Sequence, residues 1–177
     1  EGPAGRMGRD LQAAEQAELA LASRAQHVTA VTEAEAARFR HPGGPTVSVL
    51  GHAMRPAPTP AEFADRPHLL FLGNLADENS PNTESFVWFV DQVMPHLGPV
   101  FDGLTRFLVA GRNDAASVQA RRSVRTDLLG PVADLPALFN RARVFVAPTR
   151  YAAGIPHKVH QAAALGVPVV ALSLIHI

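Results

Sequence analysis

From residue 68 onward, short apolar runs alternate with stretches of mixed polarity. The runs "HLLFLG", "RFLVAG", "TDLLG", "RVFVAP" and "VPVVAL" are nearly continuous in apolar residues rather than alternating with polar ones. That pattern belongs to strands covered on both faces. They predict strands near 68–72, 106–110, 127–129, 143–147 and 168–171. The intervening stretches carry helix signals. Ser80 stands before Pro81 as a cap before a first-turn proline, and Phe86, Phe89, Val90, Val93 and Leu97 then form one apolar face. "ASVQARRS" reads as a short polar helix, Asp134 caps "LPALFNRA", and "HKVHQAAAL" supplies the last helix. Strands alternating with helices predict an α/β fold, with a Rossmann-like parallel sheet and helices on both faces.

The first fifty residues follow the same logic on a smaller scale. "DLQAAEQAELALASRA" at 10–25 is rich in good helix formers. "HVTAV" and "TVSVL" read as strands on either side of "TEAEAARF", where Thr32 and Glu35 have the spacing of a capping box. The composition then shifts. Four prolines in "MRPAPTPAEFADRP" oppose regular hydrogen bonding and mark a boundary. Residues 1–53 and 68–171 are therefore read as two units joined by a proline-rich linker at 54–67.

Composition narrows the classes of function. Of 177 residues, 47% are hydrophobic and 18% charged, a chain able to bury a core. Lys+Arg and Asp+Glu both number 16, so no overall charge draws nucleic acid, and any anion must be captured by local geometry. There is no cysteine for disulfides or thiolate metal sites. No apolar run approaches the length of a membrane span, and no secretory signal is visible. The chain opens on Glu1, not Met, and closes on "LSLIHI", residues 172–177. A common sequencing adapter read in frame would encode those residues. Adapter read-through is the expected origin, with a genuine strand extension as the alternative. On the first view the fold is incomplete at both ends.

Candidate chemistry sits in the loops after the strands, because open parallel sheets bind ligands beyond the carboxyl ends of their strands. Gly73-Asn74-Leu75, Gly111-Arg112-Asn113 and Gly130-Pro131-Val132 each begin with glycine, where a ligand can approach backbone closely. The fourth loop, "RYAAGIPHK", leads into a helix whose first amides have no intrahelical partner and whose dipole favours an anion. Gly154 leaves room for a phosphate. Lys158, just inside the helix, opposes the dipole unless an anion compensates it. A plain turn with a solvated lysine is the alternative reading of the same residues.

The ordered set "FLGNLADENSPNTESFVWFV", "FLVAG", "LLGPVADLPALFNRARVFVAPTR" and "GIPHKVHQAAALGVPVVA" resembles the C-terminal, donor-binding domain of GT-B glycosyltransferases of family 4. The resemblance covers about residues 68–171, and "AQHVTAVTEAE" resembles the end of that family's N-terminal, acceptor-side domain. It implies a GT-B type fold and transfer of a sugar, with retention, from a nucleoside diphosphate sugar to an acceptor hydroxyl. Residue by residue, it implies that Gly154, Ile155, Pro156 and His157 line the diphosphate and sugar, with Lys158 offering charge. Gly73 and Asn74 would face the diphosphate, while Gly130 to Leu135 would bracket the base, Val132 packing on it. Arg112 would be near enough to reach the nucleotide, or simply solvated. The family often has two glutamates, the second bonding ribose; Ala153 and Gln161 stand at those places here, and Gln161 can still bond a ribose hydroxyl.

No cofactor is implied beyond the nucleotide sugar as co-substrate, and catalytic residues are not identified. His157 and His160 are three apart, but no third ligand of matching geometry follows, so no metal site is assigned. Trp88 reads as core, and Arg121 and Arg122 as a solvated face. Expected partners are the nucleotide sugar and a glycan, lipid or other hydroxyl acceptor, with no nucleic acid. The expected location is the cytoplasm, with peripheral association at the inner face of the membrane as an option. A nucleotide-sugar epimerase of the same fold and a nucleotide-binding module without turnover are the competing readings. This piece alone is expected to lack activity.

Overall fold

A computed structural model describes residues 3–100, 103–150 and 157–172. The chain divides into two compact units, Glu1–Ala53 and Met54–Ile177.

In the first unit, helix α1 (Pro3–Ala22) precedes strand β1 (His27–Ala30), helix α2 (Glu33–Phe39) and strand β2 (Thr46–Val49). The two strands pair in parallel, His27 opposite Thr46 through Ala30 opposite Val49. Thr32 caps α2 by accepting from the Glu35 amide at 3.1 Å. The reciprocal bond differs from the expected box: the Glu35 carboxylate takes the amide of Val31, one residue earlier, at 3.2 Å.

The second unit holds β3 (His68–Leu72), α3 (Pro81–Trp88), β4 (Phe107–Ala110), α4 (Ala116–Gln119), β5 (Thr126–Gly130), α5 (Leu135–Phe139), β6 (Ala142–Ala147), α6 (His157–Ala164) and β7 (Val169–Ala171). The five strands run in the order β5-β4-β3-β6-β7. Every neighbouring pair is parallel. Successive side chains of a strand point to opposite faces. Leu69, Phe71, Phe107, Val109 and Val146 therefore join one core with Phe86 and Val118 from the α3 and α4 side. Leu70, Leu108, Phe145 and Ala147 join the other with Leu138, Phe139 and Ala162 from α5 and α6. Both alternate sets are apolar, which is why the strands read as unbroken runs. The rings of Phe71, Phe86 and Phe89 surround Phe107 at centroid distances of 6.5, 6.2 and 5.0 Å.

Two further expectations needed correction. The helix after Ser80 is not one continuous α-helix. It leaves α geometry at Trp88, passes through a π turn at Phe89–Val93 and continues as 3₁₀ turns over Met94–Val100. Pro95 cannot donate to the Asp91 carbonyl and its ring crowds that position, so the winding changes ahead of it. Arg121 is not part of a merely solvated face. Its guanidinium binds the Asp91 carboxylate at 2.8 and 2.5 Å and the Ser117 carbonyl at 2.6 Å. That pair ties the turn after α4 to the π turn, holds the Asp91 carboxyl below its usual range and raises the arginine's pKa. Trp88 does pack against the first core.

The proline-rich stretch has few regular elements, but it lies on the second unit. Ala57 and Thr59 donate to the carbonyls of Ala164 and Leu165 at 2.8 and 3.0 Å. Ala61 donates to the Asn140 side chain at 2.8 Å. Arg66, only 5% exposed, gathers the carbonyls of Ala61 and Gly166. A buried guanidinium is tolerated here because its donors are met by carbonyls.

Ser80 caps α3 by accepting from the Thr83 amide at 3.1 Å while its hydroxyl lies 3.0 Å from that of Thr83. Ser80→Ala is expected to lower stability by about 1 kcal/mol, and Ser80→Gly by a few tenths. The urea midpoint of each variant checks this.

His68 opens β3 at the amino edge, where its Nδ1 accepts from the Arg106 amide at 3.3 Å. Desolvation first, then the charges of Arg141 and Arg106, push its pKa below the ordinary 6.5, with Asp127 opposing. The folded state thus prefers the neutral ring. Its contribution is fully present above 6.5 and is lost as pH falls through the lower folded value. Stability measured by urea at pH 5.5 should fall further below that at pH 7.5 in the wild type than in His68→Gln. Equal losses would remove His68 from the acid response.

Candidate nucleotide site at the carboxyl edge

The chain leaves β3 towards β4 and β5 on one side, then returns to β6 and β7 on the other. Such a reversal opens a crevice beyond the carboxyl ends of the two strands where it occurs, here β3 and β6. Three loops are drawn together at that edge by glycines. Gly73 donates to the Ala110 carbonyl at 3.0 Å, and Gly111 to the Gly130 carbonyl at 2.8 Å. Gly111 has φ +115°, and a Cβ there would lie 2.0 Å from the Gly73 carbonyl oxygen. A Cβ at Gly73 would meet the Phe71 ring at 2.8 Å and the Asn82 side chain at 3.2 Å. The loops can approach this closely only because neither position carries a side chain.

Lys158 enters the crevice from the other direction. It is the second residue of α6, and its stem reaches back to the end of the central strand. The ammonium donates to the Leu72 carbonyl at 2.9 Å and to Asn82 Oδ1 at 2.6 Å. It stands 5.2 Å from the centre of the Phe71 ring, within cation–π reach. Burial pushes its pKa below the usual lysine value. Both acceptors are neutral, so they orient the charge without cancelling it. The first turn of α3 makes a second tether, between Glu84 and Arg150 at 2.9 Å. Arg150 lies just beyond β6, so α3 holds both the lysine and the strand-end loop.

The other sequence-derived positions fall as follows. Gly154, Ile155 and Pro156, with Ala153, lie outside the described residues. His157 begins α6 and is exposed; Gln161, one turn on, is half-buried. Asn74 turns its side chain into a local bond with the Ala76 amide at 3.2 Å. Gly130, at φ +71°, ends β5, and Val132 packs partly on the second core. Arg112 pairs with Asp114 at 3.1 and 2.8 Å on the surface, a contact of little energetic weight. Sequence reasoning missed Asn82, Glu84 and the Leu72 carbonyl. Asn82 is 76 positions from Lys158, beyond the range of any local periodicity.

Among the described residues, no group of three or more His, Asp or Glu could hold a metal ion, and no helix is long and apolar enough to cross a membrane.

The fold is shared with solved structures. The structure of TarM superposes with a TM-score of 0.66 at 14% identity, covering 89% of this chain and 31% of that one. Anabaena HepE, solved in complex with UDP and glucose, gives 0.67 at 18% identity, covering 90% and 48%. A mutant of S. aureus TarM in complex with fondaparinux, α-GlcNAc-glycerol and UDP gives 0.65 at 13% identity, covering 89% and 32%. The chain thus spans about a third of the TarM chains and about half of HepE. No curated protein matches it. At these identities the likeness establishes the α/β architecture, which is of the GT-B type. The sequence profile described as "Glycosyl transferases group 1" matches residues 66–176, most of the chain, which therefore belongs to that family.

Proposed function

We propose that this chain supplies the donor-binding part of a glycosyltransferase of the family 4 kind, one that moves a sugar with retention from a nucleoside diphosphate sugar to an acceptor hydroxyl. The observation that carries this reading is the Lys158 ammonium held by two neutral acceptors at the β3/β6 switch point. A diphosphate there would meet a fixed positive charge in a half-buried setting. As the bond from the sugar to the β-phosphate breaks, negative charge grows on the departing diphosphate, and a preorganised ammonium stabilises it. HepE and mutant TarM were both solved with UDP, which makes UDP the first probe.

In this reading Gly73, Asn74 and the segment 154–157 line the diphosphate and sugar, Gly130 and Val132 border the base, and Gln161 bonds ribose. No metal or organic cofactor takes part; the nucleotide sugar is a co-substrate. Residues 1–53 belong to the acceptor-side domain, which carries the acceptor site and any acid or base. The protein acts in the cytoplasm, peripherally at the inner face of the membrane where its acceptor is a lipid. Calorimetric titration of UDP, GDP and ADP into the chain tests the reading. Binding of at least one, with the corresponding monophosphate markedly weaker, is expected. Equal binding of mono- and diphosphates would overturn the diphosphate site.

A further inference from the structure

We propose that Asn82 is the positioning residue of this site, fixing the Lys158 ammonium so that its remaining donor faces the diphosphate. The inference rests on the donor-site reading above. An ammonium carries three N–H donors and no acceptor. One goes to the Leu72 carbonyl at 2.9 Å and one to Asn82 Oδ1 at 2.6 Å, which leaves a single donor of defined direction. Because lysine only donates, the amide oxygen of Asn82 must be the atom turned towards it.

The choice of an amide matters. A free lysine stem loses much rotamer freedom when it is immobilised on a ligand, and that entropy opposes binding. Here the stem is immobilised beforehand, with the Phe71 ring 5.2 Å from the ammonium. A carboxylate in the same place would immobilise it equally well, but would neutralise the charge the diphosphate needs. Asparagine orients the lysine and leaves its charge available. Its own position is set by α3: Asn82 follows the Pro81 first turn under the Ser80 cap. The same side chain lies against Gly73, where a Cβ would come within 3.2 Å of it. Asn82 thus links α3, the end of β3 and α6.

The test is calorimetric titration of UDP, GDP and ADP into the full chain as wild type, Asn82→Ala, Asn82→Asp, Lys158→Ala and the double variant Asn82→Ala/Lys158→Ala. Melting temperatures accompany each titration. For the diphosphate that binds, Asn82→Ala should weaken affinity about threefold to tenfold. Asn82→Asp should weaken it more, although it retains an acceptor for the lysine. In the Lys158→Ala background, removing Asn82 should have little further effect, since contacting residues that act through one another are not additive. A structural role alone predicts the reverse order, with Asn82→Asp milder than Asn82→Ala and both tracking melting temperature. That result, or independent additive losses, overturns the positioning role. If Lys158→Ala itself binds the diphosphate like wild type, the donor-site reading fails first. If Lys158→Ala weakens binding but Asn82→Ala does not, only the positioning role fails.

Discussion

Lys158→Ala is expected to weaken diphosphate binding roughly ten- to a hundredfold, corresponding to about 1.5–3 kcal/mol for a hydrogen bond to a charged group. The loss has two sources. The ammonium is a full charge at a helix start that alone supplies only part of one. Its half-buried setting also makes that charge count for more than it would in open water. Lys158→Met separates charge from packing: it keeps an unbranched apolar stem over the Phe71 ring and removes only the ammonium. Both variants should therefore bind the diphosphate weakly, while the methionine variant melts closer to wild type. Calorimetric titration beside thermal denaturation reads both quantities. Wild-type affinity in Lys158→Met would mean that the lysine serves only the fold.

The second large effect is expected at Gly111. Gly111→Ala should lower stability by on the order of 3 kcal/mol or more, from an unfavourable φ together with a collision. The collision is with backbone: the new Cβ would stand 2.0 Å from the Gly73 carbonyl oxygen, which cannot swing aside as a flexible side chain would. Gly130→Ala is the control. It also has positive φ, at +71°, but nothing lies within 4 Å of its Cβ, so only the conformational cost of about 1–2 kcal/mol applies. Urea denaturation of the two variants separates strain from collision. Equal losses would show that the close approach of the β3 and β4 loops contributes nothing. Where the Gly111 variant folds, it should also bind the diphosphate less well, because the Gly73 loop must move.

Much of the second unit was legible from sequence because its signals are local. Continuous apolar runs with glycine at their ends marked β3, β4 and β5 to within a residue or two, and the caps at Ser80 and Asp134 marked two helix starts. The π turn at Phe89–Val93 was not legible, although Pro95 was in plain view. A proline says that the ladder must change, not which winding replaces it. Residues 54–67 looked like a free connection because prolines do not form ladders. Their amides are nonetheless met by Ala164, Leu165 and Asn140, partners brought near only by the folded sheet. The site divides the same way. Lys158 announced itself by opposing the helix dipole in the sequence, whereas Asn82 looked like an ordinary first-turn residue. Its role depends on two helices that follow different strands meeting at the switch point, and that is a property of strand order.

A crystal structure of the chain grown with UDP, or with whichever diphosphate titrates most tightly, would locate the phosphates relative to Lys158. The diphosphate is expected beyond the ends of β3 and β6, with a phosphate oxygen about 2.7–3.2 Å from Lys158 Nζ. Asn82 should keep its contact with the same ammonium. A diphosphate bound at the amino edge of the sheet, or one that leaves Lys158 without a phosphate contact, would contradict that placement.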